Sequence, residues 1–125
     1  MTKNTDVKSF EQTQVWKEVR KLALAAYRLT QEDKFERDWA LRDQVRRAAI
    51  SIMANIAEGS ERGTQKEFVH FLNIAAASCA EVKSHLYLAM DLGYLEETRL
   101  NLAKESLDNI ARQIRALQRT LRDHY

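Results

Sequence analysis

Proline is absent from the 125 residues, and glycine occurs only three times. Few positions therefore interrupt a helical hydrogen-bond ladder or invite a reversal, and the chain reads as long helices. The same scarcity excludes collagen-like, low-complexity and turn-rich all-β chains. Aromatic residues are few, at 8%, while sixteen alanines imply packing between small side chains. The single cysteine, Cys79, excludes an intrachain disulfide framework and any metal cluster built on several cysteines. With no adjacent histidine to activate it, Cys79 reads as a small buried residue. A strong net charge is missing too. Twenty basic and eighteen acidic residues leave +2, so distribution rather than bulk charge must decide any nucleic-acid affinity. No apolar run reaches about 18 residues, and Met1–Phe10 is polar, without a secretory core. These absences predict a cytoplasmic protein with no membrane association.

What is present is helical periodicity. Val15, Val19, Leu22, Ala26 and Leu29 line a first helix starting at Ser9 or Thr13, with Trp16, Ala23, Tyr27 and Thr30 widening the stripe. Gln31–Asp38 is polar and predicts a turn, anchored by Phe35. Leu41, Val45, Ala48, Ile52 and Ile56 line a second helix, broadened by Ala49 and Met53. It is expected to end at Glu58, with Gly59 in left-handed geometry. Thr64 and Glu67 have capping-box spacing before Phe68, Phe71 and Leu72. The third apolar line continues through Ala75, Cys79, Val82, Leu86 and Ala89 to near Gly93. Leu100, Ala103, Leu107, Ile110, Ile114, Leu117 and Leu121 form a regular seam on a fourth helix. Short connections make the economical architecture an all-α, up-down-up-down antiparallel four-helix bundle. It forms a single domain over 1–125, with helices at about 10–30, 39–58, 64–92 and 97–122.

The run from Leu41 to Gly59, LRDQVRRAAISIMANIAEG, resembles the signature of the four-helix-bundle proteins encoded in intervening sequences of 23S ribosomal RNA genes. Members of that family are often labelled S23 ribosomal proteins. The pattern is Leu-x-x-Gln-Leu-Arg-Arg-Ala-x-x-Ser-Ile-x-x-Asn-Ile-Ala-Glu-Gly. Val15-Trp16-Lys17, Phe68, Phe71-Leu72, Ala75, Glu81 and Leu92-Gly93-Tyr94-Leu95 extend the match, which spans about residues 10–121. The chain departs from the family at Glu36, where many members have proline, and at Arg42, where threonine is common. The resemblance implies a ring-shaped homo-oligomer, with a pentamer favoured. A related branch, the accessory variability proteins of diversity-generating retroelements, implies a nucleic-acid-binding partner of a reverse transcriptase.

Two groups of arginines are candidate nucleic-acid contacts, because a guanidinium offers fixed donors and a permanent charge. Arg112, Arg115, Arg119 and Arg122 share one stripe of the last helix, and Arg46 and Arg47 stand together on the second. A solvated or intersubunit face is the plainer reading of the stripe, and attraction to the negative end of the helix dipole accounts for it. Pairing with Asp43, or with Glu58 of another subunit, is the corresponding alternative for Arg46 and Arg47. Gln44, Asn55, Glu58 and Arg62 form a candidate structural polar network that fixes helix or subunit register. Enzyme chemistry finds no support. His70, His85 and His124 lack metal-ligand spacing, and Glu81 with His85 supplies two ligands at most. No phosphate-cradling loop or nucleophile motif is present. The chain is therefore expected to be non-enzymatic, to need no cofactor or metal, and to bind RNA or DNA as a homo-oligomer. An accessory role to a reverse transcriptase fits. The alternative is a structural or protein-interaction scaffold without direct nucleic-acid binding.

Overall fold

The computed structural model describes residues 10–123. Ser9 and His124 lie outside this range. A single 3-10 turn, Phe10–Gln12, precedes five α-helices: α1 (Gln14–Leu29), α2 (Asp33–Arg37), α3 (Trp39–Ser60), α4 (Gln65–Asp91) and α5 (Glu97–Arg122). The fold is an all-α bundle, but with five helices rather than four among the described residues. The extra one is the segment expected to be a polar turn. Phe35, in α2, is almost fully buried and lies 5.3 Å from the Tyr94 ring. Burying one large side chain from a short segment is what draws this turn into helical geometry.

Caps set the helix starts. Thr13 accepts from the Trp16 amide, Asp38 from Leu41 and Thr64 from Glu67, each satisfying an orphan donor of a first turn. At α4 the box is not reciprocal. The Thr64 hydroxyl donates to Oε1 of Glu67 at 3.2 Å, while Arg62 holds Oε2 of the same carboxylate. Past α4, Gly93 donates to Met90 and Tyr94 to Ala89, closing a Schellman motif that needs the positive φ of 82° at Gly93.

Gly59 behaves otherwise than expected. Helix α3 continues through Ser60, and positive φ angles among the glycines occur at Gly63 and Gly93. A Cβ at Gly59 would stand 2.7 Å from Cβ of Phe71 and 2.9 Å from Cδ1 of Phe68. Glycine is required here by the approach of α4, not by the backbone angle. That approach continues up the seam, where the Ser78 hydroxyl, buried, donates to Oγ of Ser51 at 2.8 Å. Ala48, Ala49, Ala75 and Ala76 are all buried in the same core, as close packing of the two helices demands.

The core holds every member of the apolar lines of α1 and α3 named above. The seam of α5 drifts instead. Leu100, Leu107, Ile110 and Ile114 are buried, but Leu117 and Leu121 are half-buried and Gln118 is fully buried. A straight helix turns 3.6 residues at a time, so a strict seven-residue seam slides off the core axis. Helix α3 packs between α1 and α4, and α5 between α4 and α1. Contacts of Ser51 with Ser78 and Gly59 with Phe68 show α3 and α4 antiparallel. Asp108 with Lys83 and Arg115 with Asn73 show the same for α4 and α5. No helix among the described residues is long and apolar enough to cross a membrane.

Two substitutions test this packing. Gly59→Ala gains helix propensity, up to about 1 kcal/mol, but forces α4 outward against an overpacking cost of about 1–3 kcal/mol. Net destabilisation in urea unfolding is expected, and a more stable variant would mean that the seam opens freely. Thr64→Ala removes an exposed cap and should cost about 0.5–2 kcal/mol in the same measurement, with helical content unchanged.

Candidate nucleic-acid interface

Arg112, Arg115, Arg119 and Arg122 are all exposed along α5. Their 3-4-3 spacing keeps them on one side of the helix, and two contacts show that this side borders α4. Asp108 pairs with Lys83, and Nη1 of Arg115 donates to Oδ1 of Asn73 at 3.1 Å. The same Arg115 nitrogen donates to Oε1 of Gln118 at 2.9 Å. Gln118 in turn donates to Asn73 at 2.7 Å and to the carbonyl of Val69 at 3.0 Å. A fully buried amide is thereby satisfied at both ends, its cost removed by donors and acceptors from α4 and α5. One nitrogen anchors Arg115, and the rest of its guanidinium has no protein partner among the described residues.

The charge along the stripe is uneven. Near Arg112, the Asp108 carboxyl is held below the usual carboxylate range, first by its hydrogen bond from Lys83 and then by the charges of Lys83, Arg112 and Lys104. Lower down, the side chains of Arg119 and Arg122 form no hydrogen bond or ion pair among the described residues. The end of α5 is thus the least compensated cationic part of the stripe.

Arg46 and Arg47 lie on the opposite side of the bundle, at the α1–α3 seam. Nε of Arg46 donates to Oγ1 of Thr30 at 2.8 Å, and its guanidinium carbon sits 4.6 Å from the centre of the Tyr27 ring. Arg47 is exposed, with no ion pair among the described residues. The polar residues named with them separate into distinct sets. Glu58 and Arg62 meet at 3.0 Å, and Arg62 also reaches Glu67, clasping the α3–α4 turn over the Phe71 ring. Those two carboxylates hold the Arg62 guanidinium above its ordinary pKa, the hydrogen bond to Glu58 being the largest single cause and that to Glu67 the next. Asn55 instead donates to the carbonyl and hydroxyl of Ser51. Gln44 is exposed and makes no side-chain contact with these three.

Sequence reasoning missed Asn73 and Gln118. Gln118 follows Ile114 by four residues, and that spacing alone would have placed it in the core. Thr30 falls in the apolar stripe by its spacing; what spacing does not reveal is its hydroxyl, which accepts from Arg46. The two departures from the family pattern also touch: Arg42 donates to the carbonyl of Glu36 at 3.1 Å and pairs with Asp43 at 3.0 Å.

No group of three or more His, Cys, Asp or Glu among the described residues is arranged to hold a metal ion. Nε2 of His85 is buried without a hydrogen-bond partner among the described residues. The geometry therefore defines a helical bundle with two separated cationic seams. The family profile of the 23S rRNA-intervening sequence proteins matches residues 11–116, and the chain belongs to that family. Among solved structures it is similar to a protein of unknown function from the S23 ribosomal protein family of Bacteroides thetaiotaomicron. That likeness has 20% sequence identity and a TM-score of 0.75, and covers 83% of this chain and 97% of the other. No curated protein matches the chain.

Cys79 lies in α4, within reach of the charges of Lys83, Arg115 and Asp108, and burial pushes its thiol up to about 11. The neutral thiol favours the folded state up to the ordinary value near 9, and that stability is lost as pH rises towards the folded value. Native protein is expected to resist iodoacetamide at neutral pH and to label rapidly once unfolded. Fast native labelling, read by mass spectrometry, would place the thiol at the surface.

Proposed function

We propose that the chain is a non-enzymatic, cytoplasmic, homo-oligomeric nucleic-acid-binding protein, accessory to a reverse transcriptase or another nucleic-acid machine. The observation that carries this reading is the exposed α5 stripe, whose last two arginines have no acidic partner among the described residues. Exposed guanidinium groups about one helical turn apart meet successive phosphates without reading bases. The net charge of one protomer is small, at +2, so affinity must come from several stripes acting together. A ring of copies, five as the family resemblance implies, supplies that multiplicity.

Self-association has its own support. Trp39 is 70% exposed and Leu102 64%, and Leu88 and Leu92 stand exposed one turn apart at the end of α4. Apolar surface of this kind is what a second copy covers. It equally supports the second reading, a scaffold that binds protein alone.

Light scattering over a concentration series is expected to give a mass several times that of the protomer. A compact monomer throughout would remove the multivalent argument. Single Arg119→Gln and Arg122→Gln changes should weaken RNA and DNA binding alike and lower the salt slope by about one for each phosphate left without its cation. If the intact protein binds no nucleic acid at low salt, the scaffold reading replaces this one.

A further inference from the structure

The α1–α3 seam carries an open groove of about 370 Å³, lined by Tyr27, Asp43, Arg46, Arg47 and Ile50. Its size falls at the small end of ligand sites, enough for one nucleotide-sized group. Its charge is one-sided despite the aspartate, because Asp43 is paired with Arg42 at 3.0 Å. Two cationic side chains remain. Arg46 is fixed twice over, through Nε to Thr30 and by stacking on Tyr27, so its terminal N–H groups are oriented before any ligand arrives. Arg47 adds a second, exposed guanidinium from the next residue. Ile50, 45% exposed, follows Arg46 by one helical turn and gives the groove an apolar wall. Oriented cationic donors beside an aromatic ring and an uncovered aliphatic side chain match an anion joined to a flat apolar body.

We infer that this groove seats one nucleotide of a single strand, its phosphate on Arg46 and Arg47 and its unstacked base against Tyr27 and Ile50. A duplex keeps its base faces inside its own stack and leaves the apolar wall wet, whereas a single strand covers it. An acidic peptide satisfies the arginines but has no planar group for the wall. The inference rests on the nucleic-acid reading above, while the surface differs: the α5 stripe borders α4, on the other side of the bundle. The stripe therefore supplies charge-dependent affinity for any nucleic acid, and the groove supplies preference for unpaired nucleotides.

The test is fluorescence anisotropy of the full chain with labelled oligothymidylate, a duplex of equal length and an oligoglutamate peptide, at one salt concentration. Arg47→Gln, Ile50→Glu and Tyr27→Leu are compared with unaltered protein, with oligomer mass and helical content matched. Each change is expected to weaken single-strand binding about fivefold or more, the least that one base contact is worth, and duplex binding, which uses the groove only through phosphate charge, by clearly less. Arg119→Gln is expected to weaken both. A strand carrying 5-iodouracil should crosslink to Tyr27 on irradiation of the unaltered protein, which needs no variant to fold. Single-strand affinity unchanged by Arg47→Gln and Ile50→Glu, equal losses on duplex, or equal losses on oligoglutamate would each overturn the inference. Loss of both nucleic-acid affinities in Arg119→Gln alone would overturn the groove and leave the proposed function standing. No binding of either nucleic acid by the unaltered protein would end both.

Discussion

Helices α3 and α4 approach so closely at Gly59 that a single added carbon would fall 2.7 Å from Cβ of Phe71. Much else in the bundle depends on this contact. It pins the turn between the two helices, where Arg62 bridges Glu58 and Glu67. It also sets the register that lets Ser78 meet Ser51 further along. Close-packed interiors transmit such a constraint instead of absorbing it. Once α4 is placed, Asn73 and the carbonyl of Val69 stand where α5 must satisfy a buried Gln118.

The arginine stripe follows from that polar lock. Apolar packing alone would tolerate some rotation of α5 about its axis, because contacts among leucines and isoleucines are not directional. The Gln118 amide permits little rotation, since a buried amide deprived of partners is costly. Arg115 shares the same acceptor on Asn73, so the lock and the cationic face are built from one set of atoms. On the opposite seam the arrangement repeats with different chemistry, where a hydroxyl and an aromatic ring hold Arg46. Membership of the 23S rRNA-intervening sequence protein family brings the fold into focus without supplying an activity.

Much of the architecture was legible because it depends on periodicity, which is local. The apolar lines of α1 and α3 emerged as buried to the last residue named, and the Thr64 cap sits where its spacing put it. The candidate site was legible only as a set of charged positions. The stripe of Arg112, Arg115, Arg119 and Arg122 follows from helical geometry, and its exposure agrees. That Arg115 is anchored on Asn73, 42 positions earlier, has no signal in spacing along α5. Nor does spacing reveal that Arg42 pairs with Asp43, the one acid among the described residues that line the α1–α3 groove.

Gly59 marks the division. Composition and periodicity by themselves determined an all-α chain, the long helices and the apolar side each one buries, because those properties depend on residues within a turn or two of one another. They assigned that glycine a left-handed helix end, whereas its role is a close approach between helices. Only the tertiary structure decided it, since the atoms that forbid a side chain there, on Phe68 and Phe71, belong to another helix. The same holds for the short α2, which takes shape around a Phe35 ring packed near Tyr94, and for the two faces on which the arginines stand. Long-range packing decided them because the atoms that select each conformation come from elsewhere in the chain.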